Sequence, residues 1–160
     1  MNKTLILATV VSALLASGLG AAYYLTGTTD PFLLKPSDRK IVALGKNIYR
    51  ENCASCHGDN LQGEANWQTP DTEGYLPAPP HDETGHTWHH TDDVLFGLTK
   101  FGIAKSANLE NHKSNMPAYE EILSDEEIIA VLSFIKSTWP DEVKKVHNER
   151  NQIIAERDKK

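Results

Sequence analysis

Two thiols and an imidazole stand within five consecutive positions, Cys53-Ala54-Ser55-Cys56-His57. On a helical turn, positions three and four apart share a face, so Cys53, Cys56 and His57 point the same way. Thiols one turn apart can add to the two vinyl groups on one porphyrin edge, and the adjacent imidazole then reaches the iron from one side. The spacing therefore predicts covalent attachment of a single c-type haem, haem c. Other uses of the cysteines fit less well. A thioredoxin-like redox pair belongs at the end of a strand, whereas the residues before Cys53 have helical periodicity. Zinc needs four ligands, and with only two cysteines in the chain the rest would be scattered histidines. A plain disulfide leaves His57 without a role.

An iron held by one histidine has a second axial position. Met1 is the initiator, so Met116 is the only thioether on offer, and Pro117 behind it biases its backbone toward an extended, loop-like form. Met116 is the expected metal ligand beside His57, with a second histidine as the alternative.

The elements that must position these groups follow from periodicity and punctuation. At 160 residues the chain has room for one domain of about a hundred residues plus extensions. Residues 1–25 read as an address: Lys3 precedes an uncharged run from Thr4 to Leu25, 22 residues, with Tyr23 and Tyr24 near its far end. Apolar cores of signal peptides run about 7 to 15 residues and spanning helices about 20, which favours an uncleaved anchor over residues 4–25. Gly18, Gly20, Ala21 and Ala22 keep a cleaved signal, and a soluble periplasmic product, as the alternative. Residues 26–36, with Gly27, Pro31 and Pro36, read as a linker.

Ser37 is the predicted cap of a helix running into the pentapeptide, with Ile41, Leu44, Ile48 and Tyr49 on one apolar face. Gly45 interrupts that face at a cost of about 1 kcal/mol relative to alanine, which implies a close approach there. Gly58 to Pro80 is a long turn-rich loop, suited to lie over a large flat cofactor. Thr91-Asp92-Asp93 starts a second helix that ends at Gly102, and Ile103 to Asn115 reads as loop. Ser124-Asp125-Glu126-Glu127 is a capping box opening an amphipathic helix through Ile128, Val131, Leu132, Ile135 and Trp139, stopped by Pro140. Residues 141–160 are a charged extension with a thin apolar stripe (Val143, Val146, Ile153, Ile154), either a solvated helix or partly disordered. No β period appears, so the predicted fold is all-α, with residues 37–140 as the cofactor domain.

In this order the pieces resemble a membrane-anchored bacterial class I cytochrome c, over about Ser37 to Trp139. The resemblance implies that Gly45 and Tyr49 belong to an N-terminal helix crossed at the glycine by a C-terminal helix carrying Phe134. It implies that Met116 in its Met-Pro loop is the axial ligand. It also implies a proline carbonyl that accepts a hydrogen bond from the proximal imidazole and raises its basicity. The family's Gly-Pro-x-Leu segment is replaced here by Ala78-Pro79-Pro80-His81, so that role falls to Pro79. The histidine-rich run and the extension after Pro140 are outside the minimal family pattern.

With both axial positions filled, the chemistry left is one-electron exchange at a potential raised by the soft sulfur ligand. The expected function is that of an electron carrier rather than an enzyme, between a membrane or periplasmic donor and an acceptor such as an oxidase, with the haem domain in the periplasm. The net charge is −6, and from Glu51 to Glu127 there are fifteen acidic side chains against Lys100, Lys105 and Lys113. That balance implies either a solvated acidic surface or a docking face for a positively charged redox protein, and no nucleic-acid partner. Two other functions are open. His81, His86, His89 and His90 could hold copper or zinc, with the competing reading that Trp88 and one or two of these histidines pack at the haem edge. An unligated Met116 would leave an open iron, as in a peroxidase or gas-binding protein.

Overall fold

The computed structural model describes residues 32–110 and 112–160, so the apolar segment 4–25 and most of the expected linker lie outside the described residues. Among the described residues there are helices and no strands: α1 (Arg39–Asn52), α2 (Ala54–His57), a 3-10 turn (Thr87–His89), α3 (Asp92–Phe101), α4 (Ile103–Ser106), α5 (Asp125–Thr138) and α6 (Asp141–Arg157). None of these helices is long and apolar enough to cross a membrane.

The cap of α1 is Asp38, not Ser37. Its carboxylate accepts from the Lys40 and Ile41 backbone N–H groups at 2.9 and 3.2 Å, because the turn that brings Asp38 N to Lys35 O places Ser37 one residue too early. The buried face of α1 is Gly45, Ile48 and Tyr49, while Leu44 is exposed. The main pairing in the fold is α1 against α5. A Cβ on Gly45 would overlap the backbone carbonyl of Ala130 and press on Cβ of Phe134, and the Phe134 ring lies 5.5 Å from that of Tyr49. Only a glycine lets the two backbones approach this closely.

Gly45→Ala is therefore expected to lower stability by about 2 kcal/mol, overpacking outweighing the roughly 1 kcal/mol that alanine gains in helix propensity. Denaturant titration of the haem-loaded protein measures this, and an unchanged midpoint would mean the helices separate freely.

Helix α5 begins with the capping box, Ser124 N donating to Glu127 Oε2 at 2.8 Å and Glu127 N to Ser124 Oγ at 3.3 Å. Its buried surface takes in Ala130, Ser133 and Lys136 as well as the apolar stripe through Trp139, so it is covered on more than one side. Trp139 caps α5, and Pro140 opens α6. The chain after Pro140 thus continues as an ordered helix packed on the 3-10 turn. What docks it is polar and apolar together, since Val143 packs against the core and Ile154 is half-buried beside two polar groups. His147 and Asn151 are buried, whereas Val146 and Ile153 of the stripe are 43 % and 51 % exposed.

These α6 groups gather around Asp92, which is 2 % exposed at the start of α3. Its Oδ1 lies 3.3 Å from Lys136 Nζ, 3.2 Å from Asn151 Nδ2 and 3.5 Å from His147 Nε2, and its Oδ2 accepts from Leu34 N at 3.0 Å. Leu34 itself is buried, and Lys35 N donates to Ser133 Oγ at 2.9 Å, so residues 34–35 are part of the packing rather than a plain connector. Gly102, at φ 80, ends α3, and residues 103–106, expected as loop, form one helical turn whose Ser106 Oγ donates to Gly97 O.

Candidate functional site

The site begins where α1 runs out. Cys53 caps it, donating its N–H to Tyr49 O at 2.8 Å, and the chain re-enters a single turn in which His57 N donates to Cys53 O at 2.9 Å. That turn carries both thiols, which are free. Cys53 is half-buried and Cys56 exposed. Burial pushes the Cys53 thiol up to about 11.

His57 is 7 % exposed, and its Nδ1 lies 2.9 Å from the carbonyl oxygen of Pro79. A carbonyl only accepts, so Nδ1 carries the proton and Nε2 keeps its lone pair. Burial lowers the pKa of His57, with the Pro79 bond opposing it. Pro79 is held in place by a zipper between residues 61–64 and 78–81: Glu64 N donates to Ala78 O at 2.8 Å, Ala78 N to Glu64 Oε2 at 2.6 Å, and His81 N to Leu61 O at 2.7 Å. Gly63, at φ 65, permits this, since a Cβ there would meet the backbone of residues 78–80.

Met116 is half-buried against the core, its N–H donating to Ser114 Oγ at 3.1 Å. Its loop is tied to the cysteine turn by a residue that the sequence reading missed. Tyr119 is buried, its hydroxyl donates to Asn52 O at 2.7 Å, and its N–H donates to Thr99 O at 3.1 Å. Burial first, and then the two thiols, push the Tyr119 phenol up to about 12. Nothing periodic marks a lone tyrosine in a loop, and only its place three residues after Met116 hints at a role. Lys113 adds a second tie, donating to Glu73 O at 2.7 Å across to the long loop.

The histidine-rich segment pairs its rings with one another and with nearby aromatic and histidine rings. His81 stacks on His57 with ring centroids 3.9 Å apart and 23° between planes. His86 stacks on Trp67 and meets His90 edge-on, and His89 stacks on Trp88. Among the described residues no group of three or more His, Cys, Asp or Glu could hold a metal ion, which corrects the copper or zinc reading. Each of the four imidazoles has a ring partner instead. Trp88 is half-buried, with its Nε1 donating to Glu83 O at 3.3 Å, so these contacts lie within its own segment.

Two free thiols on one turn, beside a buried imidazole with one nitrogen tied and the other available, suit a thioether-linked haem. Residues 42–139 match the cytochrome c family. The chain belongs to that family. Its order of elements is that of a class I c-type cytochrome, and as such it carries covalently bound haem c. It is 28 % identical over 123 residues to the cbb3-type cytochrome c oxidase subunit FixP of Bradyrhizobium diazoefficiens, covering 76 % of this chain and 37 % of FixP. It is 31 % identical over 101 residues to the cbb3-type cytochrome c oxidase subunit CcoP of an Azospirillum species, 63 % of this chain and 30 % of CcoP. This cytochrome c thus spans little more than a third, or less, of the curated relatives it matches. No solved structure matches it significantly.

Proposed function

We propose that this cytochrome c is a one-electron carrier in which Cys53 and Cys56 hold the haem by thioethers while His57 Nε2 and Met116 sulfur are the axial ligands. The observation that carries the reading is the 2.9 Å contact between His57 Nδ1 and Pro79 O, which leaves Nε2 as the ligating atom and makes it a stronger donor. The group supplies Fe(II)/Fe(III) exchange when bound, and the thioether sulfur of Met116 favours the reduced metal. His81 would be a poor second ligand beside His57, because its ring is stacked on the His57 ring. Tyr119 and Lys113 hold the Met116 loop to the cysteine turn and to the long loop.

Met116→Ala, assembled with haem, is expected to lose the weak absorption band of the Fe(III)–sulfur bond and to show a carbon monoxide shift in its reduced spectrum. Its midpoint potential should fall. A carbon monoxide shift in the unmodified protein at neutral pH would instead point to an open iron and overturn the carrier reading.

The electron donor in this proposal is membrane-bound or periplasmic, and the acceptor is an oxidase or similar complex, since FixP and CcoP are oxidase subunits. Residues 4–25 anchor the chain and leave the haem domain in the periplasm. Apart from the buried Asp92, fourteen acidic side chains between Glu51 and Glu127 make a positively charged docking face on the partner the better match. Their attraction is screened over about 10 Å at 0.1 M salt, so the bimolecular electron-transfer rate should fall as ionic strength rises. Stopped-flow kinetics with a basic redox partner measures this, and a rate that climbs steadily with salt would remove the docking claim.

A further inference from the structure

The ring stacked on His57 is held more firmly than a surface histidine would be. Pro79 and Pro80 fix the backbone leading to His81, whose N–H donates to Leu61 O at 2.7 Å. Its carbonyl oxygen accepts from Trp139 Nε1 at 2.8 Å, at the end of α5. Its Nδ1 lies 2.8 Å from Thr87 Oγ1, in the 3-10 turn. Three separate parts of the fold thus meet at one residue, two on its backbone and one on its ring, and the flat face of that ring meets His57 at a 3.9 Å centroid distance. Such offset, nearly parallel contact restricts rotation of one ring against the other.

An imidazole bound to a metal through Nε2 keeps one soft motion, rotation about the metal–nitrogen axis. The carbonyl of Pro79 restrains that motion only loosely, since hydrogens approach a carbonyl oxygen over a broad range of directions. We propose that His81 is a positioning residue for His57: its stacked ring, anchored by Thr87 on a backbone held by Leu61 and Trp139, sets the rotational angle of the His57 imidazole and through it the electronic symmetry of the iron. This rests on the assignment of His57 as an axial ligand. It also gives α5 and α6 a route to the metal centre, because Trp139, which anchors the His81 carbonyl, has its ring edge-on to His147 at 5.1 Å.

The test uses the full haem-loaded chain in the ferric state, read by frozen-solution EPR g values and by the haem-methyl shifts in paramagnetic NMR. His81→Phe keeps a flat ring at the site but loses the bond to Thr87, and is expected to shift the g values only slightly and to keep the methyl order. His81→Leu fills similar space without a flat face, and is expected to shift the g values, broaden them and change the methyl order. Thr87→Val, which leaves His81 in place but removes its ring anchor, is expected to shift them in the same direction by less. It serves if the His81 variants do not accumulate, and unchanged spectra for it alone would then overturn the proposal. His81→Leu indistinguishable from wild type, or Phe and Leu shifting equally, would also overturn it. A simple loss of packing would lower thermal stability without moving the g values. If the wild-type protein shows no imidazole-nitrogen hyperfine coupling, the axial role of His57 fails first. If that coupling is present and His81→Leu is silent, only the positioning role fails.

Discussion

Asp92→Ala is expected to destabilise the haem-loaded protein by about 3–5 kcal/mol, the usual cost of removing one partner from a buried ion pair. The carboxylate is 2 % exposed and Lys136 1 %, so the lysine left behind could not reach water without unpacking α5. The Leu34 N–H at 3.0 Å loses its acceptor, and Asn151 Nδ2 loses its 3.2 Å contact but keeps the one to His147 O at 3.0 Å. Each buried donor left unmatched adds roughly 1–3 kcal/mol unless water enters. These donors belong to the chain before α1, to α5 and to α6, so the loss should spread across all three rather than stay local. Asp92→Asn preserves shape and one acceptor but not the charge, and should cost less than Asp92→Ala. Adding Lys136→Met to Asp92→Asn should recover part of the loss, since a buried pair replaced as a whole is often near neutral. Denaturant titrations of the single variants and the pair measure the coupling. A cost below about 1 kcal/mol for Asp92→Ala would mean that the cluster is hydrated.

Why this cluster escapes a reading of the sequence is a matter of what hydrophobic periodicity can report. Gly45, the Ser124–Glu127 capping box and the Cys53–His57 spacing are local signals, each with a mechanism contained in a few residues. The family and its cofactor were therefore legible, as was the helical character of the domain. Full burial in α6 falls instead on His147 and Asn151, while of the apolar stripe Val143 and Ile154 are only half-buried and Val146 and Ile153 face solvent, so the apolar pattern by itself does not mark the docked face. Asp92 reads as an ordinary acidic residue in the first turn of a helix, where it favours the dipole. Its inward turn is decided by Lys136, 44 residues away, and by α6 beyond that. His81 is a similar case. Its sequence neighbours suggest one of four histidines that bind metal, pack at the haem edge or lie at the surface, whereas its neighbours in space are Leu61, Thr87, Trp139 and His57. Long-range polar contacts of this kind have no period.

The same cluster makes stability depend on pH in a definite direction. His147 is fully buried, and its pKa is pushed down to about 4, first by burial and then by the nearby Lys136, with Asp92 and the His90 carbonyl opposing and Arg150 adding to the depression. Protonating it would place a second cation beside Lys136 on one carboxylate, with no solvent to share the charge. In the unfolded chain the imidazole returns to about 6.5. Between those values the unfolded state binds the proton and the folded state does not, so stability rises with pH across the window. The contribution of His147 is fully present above pH 6.5 and is lost as pH falls toward 4. If fully expressed it amounts to roughly 3 kcal/mol, at about 1.4 kcal/mol per unit. His86 and His90 shift in the same direction, so the whole protein should lose stability through this range whatever His147 does. The comparison that isolates it is His147→Gln, which has no proton to take up. That variant is expected to be less stable at pH 7.5, because the edge-on contact with Trp139 is lost, but to fall less steeply between pH 6.5 and 4.5. Parallel curves for the two proteins would show that His147 takes up its proton without unfolding, which would require Asp92 to reorganise as a shared counter-ion for both cations.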